Sequence, residues 1–499
     1  MKITIITPNI VTQKGDFFGT GIPYIPFTAT YLAAYLIQNG HDAIIIDSFG
    51  EAPMNIRNSG MFFYQGLSPK EIKNKIPSDT DIIVISAERV VAHQSIMQLL
   101  KLFKRFELPI IVVENSQAVS AYSVQELAKI LLDLGAKFII AGEPEYRTKE
   151  LIDCIKRSKD PTHIDGLIFK KGNKMAVNKV KSFIEDLDEL PFPAWHLLPM
   201  KNYWSLGYAH APLSSEKYLP ILTSRGCPYN CRFCVIPTTN QNRWRPRSPT
   251  NVVTEIQYFH DKMQVKEFHL EDLNPTVDQE RIVNMCCEII KRKLDVIWKI
   301  GSGTKLDAHF TKETISLMAR SGCKYISFSP ESGSKELLSK IGKPFNYNRA
   351  LRLVRHMNRL GIITQACFVL GFPGEKAEDL AMTKGYIKKL TKSGIDEIAL
   401  FIFSPVPGSY FYTHIKKRFI KINSLTFSPI WRKDFKQLNS FRTKTYFSFF
   451  IWKLMHHPLK IFRQVYALIT RNFVTKMEMT FFRLIKIRTR YLLSRIHRT

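Results

Sequence analysis

Twice along this chain of 499 residues, short β-rich apolar runs alternate with amphipathic helical stretches, and this rhythm constrains the fold more than any other feature. In the first part the predicted strands are Ile3–Pro8, Ala43–Asp47, Ile82–Ala87, Ile110–Glu114 and Phe138–Ala141. Helical patterns fall near Thr28–Asn39, Pro69–Ile76, His93–Phe106, Ser123–Leu134 and Glu145–Arg157. Five such units predict an open, doubly wound parallel sheet over residues 1–157, with any ligand at the carboxyl ends of the strands. From Pro220 the rhythm resumes with Ile221–Ser224, Glu267–Leu270, Trp298–Ile300, Tyr325–Phe328, Thr364–Leu370 and Glu397–Phe403. Six units are too few for a closed eight-stranded barrel.

Just after the first strand of the second series stands Arg225-Gly-Cys227-Pro-Tyr-Asn-Cys231-Arg-Phe-Cys234. Three cysteines spaced C-x3-C-x2-C on one loop can surround a face of an iron–sulfur cluster and leave one iron without a protein ligand. Structural zinc is the competing reading, but it wants four closed ligands and no partner Cys or His pair lies nearby in sequence. The other five cysteines, Cys154, Cys286, Cys287, Cys323 and Cys367, are scattered through apolar segments and form no disulfide framework.

At these residues, with Phe233 just before the third cysteine, the chain resembles the radical S-adenosylmethionine (SAM) superfamily. The resemblance implies an α/β open (β/α)6 partial barrel over residues 216–424. It also implies a 4Fe-4S cluster on Cys227, Cys231 and Cys234 whose open iron is chelated by SAM, so that reduction cleaves SAM to a 5′-deoxyadenosyl radical.

Several strand ends match the positions that hold SAM in this superfamily. Glu271-Asp272-Leu-Asn274 would place carboxylates against the SAM ammonium, although Asp272 or Asn274 could equally cap a helix. Gly301-Ser302-Gly303-Thr304-Lys305 has small residues, Ser302 among them, that would let an adenosyl group approach, with Lys305 near its carboxylate or in solvent. Ser329-Pro-Glu331-Ser-Gly-Ser334 resembles the Glu-Ser-Gly-Ser motif in which Glu331 contacts SAM, with helix capping by Ser332 or Ser334 as the alternative. Gly371-Phe-Pro-Gly374-Glu375 resembles the loop that packs on adenine. Pro405-Val-Pro407-Gly408-Ser409 matches a structural turn. His269 reads as a packed histidine, and no general base is identified.

The first domain resembles the cobalamin-binding domain of one radical SAM branch, on the Thr28–Leu36 helix with Asn39-Gly40-His41, the strand ending at Asp47, and Gly142-Glu143-Pro144-Glu145. It departs from that branch in having Glu114-Asn115-Ser116 in place of paired glycines, in Pro144, and in lacking Asp-x-His-x-x-Gly. Residues 158–215 read as a connector, with a hairpin at Ile168–Met175 and an extended Leu190-Pro-Phe-Pro-Ala-Trp195 linker; His196 and Tyr203 beyond it face either the active site or, as the simpler reading, the surface.

Net charge is +29, and between Lys416 and Thr499 there are 20 Lys or Arg against only Asp434 and Glu478. From Lys460 onward Phe462, Val465, Tyr466, Ile469, Phe473, Met477, Phe481, Leu484 and Ile485 recur at helical steps among basic residues. The region 425–499 therefore predicts a basic amphipathic helix, suited to an anionic membrane surface or to packing on the barrel as a lid, with nucleic acid ranked last. No signal peptide and no run of about 20 apolar residues is present, which predicts a cytoplasmic protein, peripheral at most on the inner membrane face.

The expected function is cobalamin-dependent C-methylation or oxidative cyclisation of a small or lipid-like substrate, with electrons from a flavodoxin or ferredoxin. The alternatives are a cobalamin-free radical SAM enzyme acting on RNA, and a non-catalytic iron–sulfur redox or sensor protein.

Overall fold

The computed structural model describes residues 1–14, 22–115, 117, 121–419 and 429–496. Ser116 and the boundary expected at 424/425 lie outside the described residues.

The first sheet has seven strands, in the order Lys174–Val177, Leu167–Lys171, Phe138–Ile140, Ile110–Glu114, Ile82–Ala87, Lys2–Thr7 and Asp42–Asp47. The five strands from the first rhythm are mutually parallel, with Ile3 opposite both Ala43 and Ile82. All six residues of Ile82–Ala87 are buried, as helices on both faces require. The strand order reverses between Lys2–Thr7 and Ile82–Ala87, so the ligand-accepting switch point lies in the loops that follow these two strands.

The hairpin assigned to the connector is a correction to that plan. It turns at Gly172 and pairs antiparallel with Phe138–Ile140, matching Phe138 to Phe169, so the sheet runs past residue 157. The rest of the connector packs against the core. The prolines break regular structure, but Trp195 and Tyr203 are buried, Ala194 N donates to Thr30 O at 3.2 Å, and Met200–Ser205 is helical. The connector is a packed wedge because its apolar side chains are worth more inside than its backbone is in water. A small antiparallel sheet of Ile10–Gln13, Phe62–Gln65 and Ile56–Ser59 was not anticipated.

The second sheet has six parallel strands in chain order: Tyr218–Ile221, Glu267–Leu270, Ile297–Thr304, Cys323–Glu331, Ile363–Leu370 and Glu397–Ile402. Its first and last strands do not pair, so the barrel is open. Register shifts fall between Trp298 and Lys299, between Ile300 and Thr304 and between Phe328 and Glu331, the last two at the carboxyl ends, where irregularity re-aims side chains.

Three helices, Phe435–His456, Pro458–Thr470 and Lys476–Ile496, complete the described chain. The single amphipathic helix expected from Lys460 is two. Arg471 adopts a left-handed φ of +61°, and the chain restarts where Thr475 N donates to the Glu478 carboxylate at 2.7 Å. Phe449, Phe473 and Met479 join the same apolar core as the barrel and one face of the first sheet. No helix among the described residues is long and apolar enough to cross a membrane.

Candidate active site

One cavity of about 940 Å³ gathers the chemistry of the chain. Tyr24, Arg89 and Val90, from the two switch-point loops of the first sheet, form one wall. Cys227, Cys231, Phe233 and Cys234 form another, and strand ends of the barrel a third. The C-terminal helices close the open side of the barrel with Phe450, Val465, Lys476 and Phe481.

The three cysteines line this cavity as free thiols. Among the described residues no group of three or more His, Cys, Asp or Glu side chains converges as ligands of a single metal ion do. Three thiols of one loop on a cavity wall suit a cubane, which offers its ligands separate corners. Phe233 sits between the second and third cysteines, with its ring 5.3 Å from that of Phe372.

The loop is held from behind by the other domain. Arg225, two residues ahead of Cys227, donates to both Glu145 oxygens at 2.6 and 3.1 Å. Arg245 donates to both Glu143 oxygens at 2.8 and 2.9 Å. All four side chains are buried. Gly226 N also donates to Gln117 Oε1 at 3.0 Å. The Gly142-Glu-Pro-Glu145 motif therefore serves the cysteine loop, and Pro144 occupies the first helical turn, where its missing N–H costs nothing.

Of the residues expected to hold SAM, Glu271, Asp272, Asn274, Ser302, Lys305 and Glu331 line the cavity. Glu331 has φ +64°, a left-handed conformation unusual for glutamate, and accepts from Lys343 Nζ at 2.6 Å. Such backbone strain persists where the surroundings impose it and clusters at functional sites. Burial pushes the Glu331 carboxyl up, against the pull of Lys343; burial alone would lower Lys343, but Glu331 together with Cys231 and Cys227 holds the ammonium above its ordinary value. Glu271 accepts from His210 Nδ1 at 2.7 and 2.8 Å. Burial pulls His210 down to about 4, against the opposing pull of the Glu271 carboxylate.

Asp272 departs from the expectation that its carboxylate meets SAM. Both oxygens are taken by Thr223 N, Thr223 Oγ1 and Ser224 Oγ, at 2.5 to 3.1 Å, which pins the strand leading to the cysteines. Asn274 accepts from Thr304 Oγ1 at 2.8 Å and Ser302 donates to Asp272 O at 2.5 Å, cross-linking two strand ends.

Gly371 and Gly374 do not line the cavity. Gly371, φ +80°, is crowded by the C-terminal region: a Cβ there would lie 2.5 Å from Leu438 and 2.8 Å from Arg432. Arg432 donates to Gly371 O at 2.8 Å. The glycine thus admits the close approach of the C-terminal helices. Gly374, φ +78°, faces open space. His269 is packed, bonded to Glu267 Oε1 at 2.7 Å; Tyr203 is bonded to Asp47 Oδ2 at 2.7 Å; His196 is exposed.

Residues 221–387 match the sequence profile of the radical SAM superfamily. The chain carries a radical SAM domain. That domain contains the cysteine loop, Glu271, Ser302, Glu331 and Lys343, and the cavity sits at the carboxyl ends of its strands. Beyond the radical SAM domain the similarity is broad and distant. The chain is 26% identical to an uncharacterised methyltransferase of Pyrococcus horikoshii, over 90% of this chain and 93% of that one. It is 25% identical to the anaerobic magnesium-protoporphyrin IX monomethyl ester cyclase of Rubrivivax gelatinosus, over 87% and 74%. Its fold resembles that of the radical SAM methyltransferase TsrM from Kitasatospora setae, solved with cobalamin and a [4Fe-4S] cluster, with a TM-score of 0.63 and 16% identity over 84% of this chain and 75% of that one.

Sequence reasoning missed the partners. Arg225 stood inside the cysteine motif and was readable there as a buried anchor. His210, Lys343 and Lys476 carry no local signal, since each reaches the cavity only through folding.

Proposed function

We propose that this protein is a cobalamin-dependent radical SAM enzyme that transfers a methyl group to a carbon of a small, largely apolar substrate. One observation carries the reading: a single cavity is lined both by the cysteine loop and by the switch point of the first sheet, where doubly wound folds take their ligands. Its volume of about 940 Å³ stands at the upper end of the usual ligand range of about 300–1,000 Å³.

Cys227, Cys231 and Cys234 would hold the cluster; Glu331, Ser302 and Asn274 would bind SAM; Tyr24, Arg89 and Val90 would border the corrin. When bound, these groups supply a carbon-centred radical and a transferable methyl group. The chain itself binds and orients. Lys343 fixes Glu331, His210 fixes Glu271, and the apolar side chains of the C-terminal helices form one wall of the cavity. The similarity to a cyclase supports oxidative ring closure as a second outcome for the same machinery.

Cobalt and iron content of protein made anaerobically with cobalamin, together with reductive cleavage of SAM, tests the proposal. About four irons and one cobalt per chain with 5′-deoxyadenosine release are expected. Iron without cobalt overturns the cobalamin reading, and iron without SAM cleavage overturns the enzyme. Product mass separates the outcomes, since methylation adds a CH2 unit and ring closure removes hydrogen.

A further inference from the structure

The C-terminal helices carry exposed apolar side chains at a far higher density than the rest of the described chain. Twelve of the 22 exposed large apolar side chains among the described residues lie on them. Leu454, Met455, Leu459, Phe462, Tyr466 and Ile469, on the two helices that meet at His457–Pro458, are each between 51% and 80% exposed. A scatter of single apolar side chains is ordinary, but a concentration of this size marks a contact surface.

Three further observations say what covers it. The first is charge. Lys444, Arg463 and Arg471 are exposed on these helices, and Arg463 stands one turn from both Leu459 and Tyr466. The two acids of the region do not offset them: Asp434 is paired with Arg432 at 2.6 Å, and Glu478 is buried. The second is continuity with the cavity. Phe447, Phe450, Val465 and Phe481 line the cavity and are also between 41% and 69% exposed, so an apolar passage leads from this face towards the cysteine loop. The third is side-chain type. The exposed residues are mostly Leu, Met, Ile and Phe, which gain by leaving water and which neither phosphate nor ribose rewards. A second copy docked two-fold on this face would set like charges against each other.

We propose that this face rests on an anionic lipid bilayer, with the apolar side chains at the headgroup boundary, the arginines on lipid phosphates, and the mouth at Phe447, Phe450, Val465 and Phe481 opening toward the membrane. The substrate class that follows is a molecule dissolved in the bilayer, which enters sideways between the helices. This second step rests on the catalytic reading above, whereas the docking surface does not.

Flotation of the full-length protein with vesicles of phosphatidylglycerol and phosphatidylethanolamine tests it, with phosphatidylcholine vesicles as the neutral comparison. Binding to the anionic vesicles is expected. Replacing Leu459, Phe462 and Ile469 together by Ser, none of which lines the cavity, should weaken it by at least about 100-fold. Arg463→Gln with Arg471→Gln should weaken it roughly 30-fold on anionic vesicles and little on neutral ones. Iron content and reductive SAM cleavage should stay at wild-type levels in both variants, which separates failure of the surface from failure of the catalytic reading. Absence of flotation overturns the proposal, as does equal flotation of the triple variant. Sedimentation showing a dimer that the triple variant dissociates would assign the face to a second copy, and salt-sensitive binding of RNA lost with the two arginines would assign it to nucleic acid; either also overturns it.

Discussion

Glu145, in a domain that supplies no cysteine to the site, grips Arg225 through hydrogen bonds of 2.6 and 3.1 Å two residues ahead of Cys227. The first sheet thereby sets the position of the loop that belongs to the second, and both pairs of that anchor are out of water. Arg225→Met strands the buried Glu145 carboxylate, while Glu143 keeps Arg245, and should cost about 3–5 kcal/mol of stability. Glu145→Gln keeps the shape and loses the charge, and should lower iron loading with a smaller loss of stability. Iron per chain and urea denaturation check both; full iron loading in Glu145→Gln would show that the anchor does not govern the loop.

Cys227→Ala, Cys231→Ala and Cys234→Ala should each abolish both the iron and SAM cleavage, because a cubane held by three protein thiolates does not survive the loss of one. Cys323→Ala, at a buried site in the barrel core, should retain the iron and lose about 1 kcal/mol or more of stability. Iron analysis with circular dichroism separates ligand loss from unfolding.

Gly371 and Gly374 share a left-handed backbone but not their surroundings. Gly374→Ala adds only strain, about 1 kcal/mol. Gly371→Ala adds that strain and a Cβ 2.5 Å from Leu438, so it should loosen the C-terminal helices, seen as faster proteolysis near residue 432. SAM affinity should change little in Gly374→Ala, since neither glycine lines the cavity. A large loss of SAM affinity in Gly374→Ala would restore the adenine-packing role.

Glu397 is fully buried, where it accepts from Tyr325 Oη at 2.5 Å and Met477 N at 3.1 Å, and burial raises its carboxyl to about 7. Between pH 4.5 and 7 the folded protein holds a proton there that the unfolded chain has released, so this group's contribution to stability is present below 4.5 and falls as pH rises to about 7. Glu397→Gln removes the dependence. Relative to wild type it should gain on the order of 3 kcal/mol in urea denaturation between pH 4.5 and pH 8. Buried His210, lowered to about 4, acts oppositely, raising stability between pH 4 and 6.5 in both proteins, and cancels in the comparison. A difference independent of pH would place the Glu397 proton elsewhere.

Much of the architecture was legible because it is local. Apolar period and length placed ten of the eleven strands of the two rhythms; the first of the second rhythm, expected at Ile221–Ser224, lies at Tyr218–Ile221, and the cysteine spacing marked its loop, since these signals are local. The unforeseen elements are non-local. The hairpin at 167–177 reads the same whether it stands alone or adds to a sheet; only pairing of Phe169 with Phe138 decides. The helix break at Arg471 sits in a stretch whose apolar spacing is unbroken, and burial of Phe473 against the core overrides the period.

The sequence by itself determined the alternating strands and helices of the two main sheets and the place of the cysteine loop, because backbone periodicity and cysteine spacing are properties of short segments. Only the tertiary structure decided which side chains share the cavity. Glu331 meets Lys343 twelve residues on, Glu271 meets His210 61 residues back, and Lys476 reaches Gly301 O across 175 residues at 2.8 Å. These pairings are chosen by where buried charge finds its partner once water is excluded, and that choice exists only in the folded chain.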